Sequence, residues 1–192
     1  DIRSMRKVLQ LLSIVVVGIA VALMLISPEL VLIFGSPKYR EAVYVIPPVA
    51  ASVFFIFIYN ILSMPQFYNE KTQFLMAASM AAAGANVVLN FIFIRLFGYI
   101  AAGYTTLACY MLYSVGHYIV SKRILVNEGI QENLMNPGFL LACSVFLIGA
   151  SIICNLIFPY RILRYAILLA SAGMDFWKKE LLLKTMADIR KK

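Results

Sequence analysis

The stretch Ala78–Tyr110, ASMAAAGANVVLNFIFIRLFGYIAAGYTTLACY, decides how the rest of the chain is read. It is apolar at most positions and long enough for two membrane-spanning helices joined by a very short turn, each span needing about 20 residues. Small residues crowd its first half (Ala81, Ala82, Ala83, Gly84, Ala85), a composition that lets helices approach closely in lipid. Asn86 and Asn90 lie one helical turn apart and so share a face. Arg95-Leu96-Phe97-Gly98 then puts a charge and a glycine where the first helix must leave the bilayer.

Composition points the same way along the whole chain. The 192 residues are 62% hydrophobic with a mean hydropathy of +0.87, against about 45–50% apolar in an ordinary soluble domain. A soluble fold of this length cannot hide so much apolar surface, whereas lipid can replace water around spanning helices. The formal net charge of +8 raises nucleic acid as a partner. The basic residues, however, fall between and after apolar runs rather than in one stripe, which argues against it. Cys109, Cys143 and Cys154 all lie inside apolar runs and are odd in number. They read as free thiols acting as small hydrophobes, not as a disulfide framework or a metal site. No Ser-His-Asp order, metal-spaced His/Cys cluster or phosphate-cradling glycine loop occurs, and His117 has no carboxylate near it in sequence. The expectation is a protein that is not an enzyme and carries no cofactor.

Apolar runs and their breaks divide the chain into six expected spans, 8–26, 42–64, 74–96, 99–120, 139–158 and 162–174. Ser27-Pro28 is expected to end the first, and an interfacial loop with Glu29, Lys38, Arg40 and Glu41 to follow. Pro47-Pro48 allows two readings of the second span: a kink, or a helix that begins there because proline suits a first turn. Pro65 is expected to end it. Residues 67–73 (FYNEKTQ) form a polar hairpin, and only Gly98 and its neighbours separate the third and fourth spans, which makes those two adjacent and antiparallel. Ser121-Lys122-Arg123 closes the fourth, and the polar stretch 124–138 reads as a loop. The sixth span is short, so Arg164 and Phe176-Trp177 are expected to supply its ends by snorkelling and interfacial anchoring. The membrane domain thus covers 1–174. The tail 175–192 keeps one apolar side among its lysines and arginines, the pattern of an amphipathic helix on the membrane surface, with a frayed solvated tail as the alternative.

Charge sets the orientation. With a cytoplasmic start, inside segments hold Arg3, Arg6, Lys7, Lys71, Lys122, Arg123 and the basic tail, while outside segments hold only Lys38, Arg40, Arg95, Arg161 and Arg164. That bias places both ends of the chain in the cytoplasm. The chain opens on Asp1 and has no secretory signal, so it reads as the C-terminal portion of a longer polypeptide.

The candidate substrate-contacting residues are the few polar ones in or near apolar runs: Asn60, Asn86, Asn90, Arg95 and His117. A buried amide in lipid must find a partner, so Asn86 and Asn90 serve either as interhelical bonds or as contacts to a hydroxyl-rich substrate in a water-filled cavity. His117 is either a proton-relay group, given its near-neutral ordinary pKa, or an interfacial residue close to Lys122 and Arg123. Arg95 either snorkels to lipid phosphates or reaches inward to an anionic substrate. No Asp or Glu occupies a clear mid-membrane position.

Asn86-Val-Val-Leu-Asn90-Phe-Ile-Phe-Ile94 followed by Phe97-Gly98-Tyr-Ile-Ala-Ala102-Gly-Tyr-Thr-Thr106 resembles the C-terminal polysaccharide-biosynthesis region of oligosaccharide flippases, in the multidrug/oligosaccharidyl-lipid/polysaccharide flippase superfamily. Ser27-Pro28-Glu29 through Phe34-Gly35, with Tyr39 and Ala42, is similar to a loop between two late helices of that family. The resemblance covers most of 26–120 and implies an all-α, polytopic helical bundle, the C-terminal half of a MATE-like flippase fold. It further implies movement of an undecaprenyl-diphosphate-linked oligosaccharide across the bacterial cytoplasmic membrane for O-antigen, capsule or exopolysaccharide assembly, by rocking of two bundles. The partners would be the bilayer, the lipid-linked oligosaccharide and the N-terminal half of the same transporter. A drug or small-cation exporter of the same superfamily and a non-transporting membrane scaffold are the competing readings.

Overall fold

A computed structural model describes residues 2–70 and 72–170; the expected tail helix, the end of the sixth expected span and Lys71 lie outside them. Among the described residues the chain is all-helical. Four helices are long and apolar enough to cross a membrane: Ser4–Phe34, Ile46–Tyr68, Thr72–Phe97 and Pro137–Ile157. The chain forms two compact units, one from residues up to Val43 and from Leu134 onward, the other Tyr44–Asn133.

In the first unit, helix α1 (Ile2–Phe34) corrects the expectation that Ser27-Pro28 ends the first span, because the helix runs straight through Pro28. Proline cannot donate to the carbonyl one turn back, so the Met24 carbonyl needs another partner. It accepts the Ser27 hydroxyl at 2.7 Å. The next carbonyl, Leu25, accepts Nη1 of Arg164 at 2.8 Å. Side chains thus satisfy the break, the condition under which membrane helices tolerate proline. A 3-10 segment, Pro37–Tyr44, follows and bends at Tyr39.

The rest of this unit is α5 (Pro137–Ile157) and a helix over residues 161–170, α6. Asn136-Pro137-Gly138 builds the start of α5: Asn136 accepts the Gly138 N–H at 2.9 Å through Oδ1, and Pro137 fills the first turn. α5 packs on α1, with Leu147, Ser151 and Cys154 buried from one side and Ala20, Met24 and Leu25 from the other. Arg164 does not snorkel. It is 2% exposed and forms a two-pronged ion pair with Glu29, Nη1 to Oε2 and Nη2 to Oε1, both 2.8 Å. Tyr165 adds its hydroxyl to Glu29 Oε1 at 2.9 Å. A guanidinium sheltered from solvent is held by a carboxylate because burying it unpaired would cost far more.

The second unit contains α2 (Ile46–Tyr68), α3 (Thr72–Phe97) and α4 (Ala101–Asn127). Of the two readings of Pro47-Pro48, the late start holds: both prolines sit in the first turn of α2. Pro65 does not end α2; the helix reaches Tyr68, and Asn69 closes it by donating its main-chain N–H and its side-chain Nδ2 to the Pro65 carbonyl at 3.1 and 2.9 Å. α2 and α4 make the principal helix pair of this unit. The packing is tight at Gly103, where a Cβ would lie 2.8 Å from Cγ of Pro48 and 2.9 Å from the Val45 carbonyl oxygen. The Ser114 hydroxyl donates across the same pair to the Phe55 carbonyl at 2.9 Å.

The α3–α4 hairpin forms over the expected short turn, with Gly98 at φ +77°. Its small residues behave differently from expectation. No residue of α3 is buried, and a Cβ on Gly84 would meet nothing within 4 Å. Gly84 therefore permits a close approach that no described helix of this unit uses. α4 also continues beyond Ser121-Lys122-Arg123, since nothing in that triplet opposes a helix. It stops at Gly129, φ +79°, where the Gly129 N–H bonds to Val126 and the Ile130 N–H to Leu125. That pair of reversed bonds needs a left-handed residue, hence glycine.

Candidate functional site

Within the second unit, α2, α3 and α4 enclose a groove of about 460 Å³. Its contents follow from helical spacing. On α3, Ser79, Ala83, Asn86 and Asn90 recur at intervals of four, three and four residues; on α4, Thr106, Tyr110, Tyr113 and His117 do the same. Each set forms one stripe on its helix. The first three of each stripe line the groove, and Tyr59 of α2 completes it. The Tyr59 and Tyr110 rings are nearly parallel (7°) with centroids 6.4 Å apart, and Tyr59 lies 4.7 Å from Tyr113. Ser79 and Tyr113 share a hydrogen bond of 2.5 Å between hydroxyls of α3 and α4.

The fourth member of each stripe stands behind the lining. Asn90 donates to Asn86 Oδ1 at 2.9 Å and accepts the Thr105 hydroxyl, while Asn86 donates to Thr106 Oγ1 at 3.4 Å. Asn90 thus ties α3 to α4 and aims Asn86. Both amides are half-buried and turned toward α4. Asn90 bonds the helices, and Asn86 does so while also lining the groove.

His117 is fully buried in this unit, not at an exposed helix end. Its ring contacts Tyr59, Tyr113 and Phe74, edge-on to Tyr113 at 4.4 Å. Its Nδ1 lies 2.8 Å from Nε2 of buried Gln66. Among the described residues, His117 Nε2, Gln66 Oε1 and the Ser121 hydroxyl are buried with no hydrogen-bond partner. This node supports two groove tyrosines from behind.

The other two sequence candidates are elsewhere. Asn60 is exposed and donates back to its own helix, to the Ile56 carbonyl at 2.7 Å. Arg95 is exposed on α3 with its guanidinium 3.8 Å over the Phe91 ring. Neither lines the groove. Sequence reasoning passed over Tyr59, Ser79, Tyr110, Tyr113 and Gln66. The 106/110/113/117 spacing was the available signal, masked by the abundance of aromatic residues along the chain. Of the cysteines, Cys109 is buried and lines the groove, Cys154 is buried in the other unit and Cys143 is half-buried there; all three are free thiols.

Phenol rings, hydroxyls and a primary amide on one concave surface suit a neutral, hydroxyl-rich ligand. Aromatic faces could cover the C–H side of such a ligand, and the amide and hydroxyls of Asn86, Thr106 and Ser79 could exchange hydrogen bonds with its hydroxyls. Among the described residues no carboxylate lines the groove to attract a cation. No protein-family model, curated protein or solved structure matches the chain.

Proposed function

We propose that the chain is part of a membrane transporter that moves a lipid-linked oligosaccharide, with the groove between α2, α3 and α4 as a contact surface for the sugar. The observation that carries this reading is the tyrosine-lined, amide- and hydroxyl-bearing groove in a chain with four helices long and apolar enough to cross a membrane. The resemblance of 86–106 to oligosaccharide flippases supports it. In this reading α4 and α6 complete six spans, both ends are cytoplasmic and the bacterial cytoplasmic membrane is the setting. The diphosphate and the remaining cavity wall belong to the rest of the transporter. A drug or cation exporter fits less well, because the groove offers hydroxyls and an amide rather than an acid. A scaffold leaves the groove without a purpose.

Binding tests this. The chain in lipid nanodiscs is titrated with undecaprenyl diphosphate bearing an oligosaccharide and with the sugar-free lipid. The sugar-bearing lipid binds more tightly, and Tyr110→Ala removes about tenfold of that advantage, the worth of one aromatic contact. Equal affinity for the two lipids sinks the proposal.

A further inference from the structure

The first unit holds a second concavity, of about 550 Å³, where α1 passes Pro28 and Glu29 and meets the 3-10 segment and α6. Three guanidinium groups line it, from Arg40, Arg161 and Arg164, against the single carboxylate of Glu29. That carboxylate is already spoken for. Both its oxygens accept from Arg164, and Oε1 also accepts from Tyr165. Arg40 and Arg161 are exposed and make no ion pair or hydrogen bond among the described residues. The cavity therefore presents two uncompensated cations around a neutralised, rigid Glu29–Arg164 floor. Its remaining wall is apolar, with Leu32 64% exposed, and Ile162 beside Arg161 is 88% exposed.

From this arrangement we infer that the cavity holds the phosphodiester headgroup of an anionic phospholipid, with its acyl chains along the exposed apolar side of α1 and α6. Guanidinium groups recognise phosphate oxygens through paired, charge-assisted hydrogen bonds. A free anion would satisfy the cations but leave the apolar rim in contact with water; a lipid satisfies both. The Glu29–Arg164 pair keeps a third arginine from adding charge and fixes α6 against α1, so the two open guanidiniums are held at the rim. This inference concerns residues outside the groove and does not rest on the sugar reading.

The test is retention of lipid by the detergent-solubilised chain in native mass spectrometry, comparing phosphatidylglycerol with phosphatidylcholine. Phosphatidylglycerol is expected to be retained preferentially, and the double variant Arg40→Gln/Arg161→Gln to lose about thirtyfold of its affinity, two interfacial cations acting together. Arg40→Gln alone loses about fivefold. Arg95→Gln, in the other unit, leaves retention unchanged. Phosphatidylglycerol is expected to stay bound in excess inorganic phosphate; full displacement would overturn the assignment to a lipid. Equal retention of the two phospholipids, or no effect of the double variant at unchanged helix content, would overturn the site itself.

Discussion

Replacing Arg164 by Met exposes how the first unit is held together. The methionine keeps most of the side-chain volume and removes the charge. Three hydrogen bonds of 2.8 Å disappear, two to Glu29 and one to the Leu25 carbonyl beside the Pro28 break. Removing one partner of a buried ion pair costs about 3–5 kcal/mol. The Glu29 side chain keeps 24% exposure, so water rescues part of its charge and the lower end, about 3 kcal/mol, applies. Leaving the Leu25 carbonyl short of a partner adds about 1 kcal/mol. Glu29→Gln alone leaves the guanidinium facing a neutral amide and costs about 2 kcal/mol. The double variant Glu29→Gln/Arg164→Met buries no unpaired charge and costs only about 2 kcal/mol, so a double-mutant cycle returns a coupling of about 4 kcal/mol. Reversible unfolding in mixed micelles, followed by helix content, measures all four proteins. A stability within about 0.5 kcal/mol of wild type for Arg164→Met, or a coupling near zero, would show that the pair is incidental and refute the reasoning.

The other expectations concern the second unit. Gly103→Ala drives a methyl into Pro48 and the Val45 carbonyl and destabilises by about 1–3 kcal/mol in the same unfolding assay, whereas Gly84→Ala, with open space around it, is neutral or stabilises by about 0.5–1 kcal/mol. His117→Phe leaves the Gln66 amide nitrogen with only its bond to the Leu62 carbonyl and costs about 1 kcal/mol; adding Gln66→Leu restores most of it, because both side chains already carry an unpartnered polar atom among the described residues. Asn90→Ala weakens the α3–α4 hairpin by about 0.6 kcal/mol and loosens sugar binding through Asn86, while Asn60→Ala changes neither, as titration of the two variants with the sugar-bearing lipid will read.

The α3–α4 hairpin was legible from sequence because its evidence is local: two helical runs on either side of one glycine turn. Pro47-Pro48 was half legible, since proline fits both a kink and a first turn, and only the helix start decides. Pro28 was not legible. The rule that proline ends a helix fails there because Ser27 and Arg164, the latter far along the chain, take up the carbonyls, and no local pattern announces Arg164 as a partner of Glu29. The same distance hid the fate of Arg164 itself, read as an interfacial anchor. Small residues at 81–85 show where a close approach is permitted, and Gly103 shows that occupancy depends on what the facing helix offers. The site divides similarly. Asn86 and Asn90 drew attention as amides in an apolar run, while the tyrosines beside them passed as ordinary membrane aromatics until the matching stripes on α3 and α4 came together around Tyr59.

The most direct test of the proposal that the groove contacts sugar is photo-crosslinking. A benzophenone amino acid is placed at Tyr110, inside the groove, or at Leu112, 69% exposed on another face of α4, and the chain is irradiated with a lipid-linked oligosaccharide labelled in its sugar. The groove account predicts that label attaches at position 110 and not at 112, and that excess unlabelled oligosaccharide lipid suppresses it. Equal labelling at the two positions, or labelling at 112 alone, would contradict it.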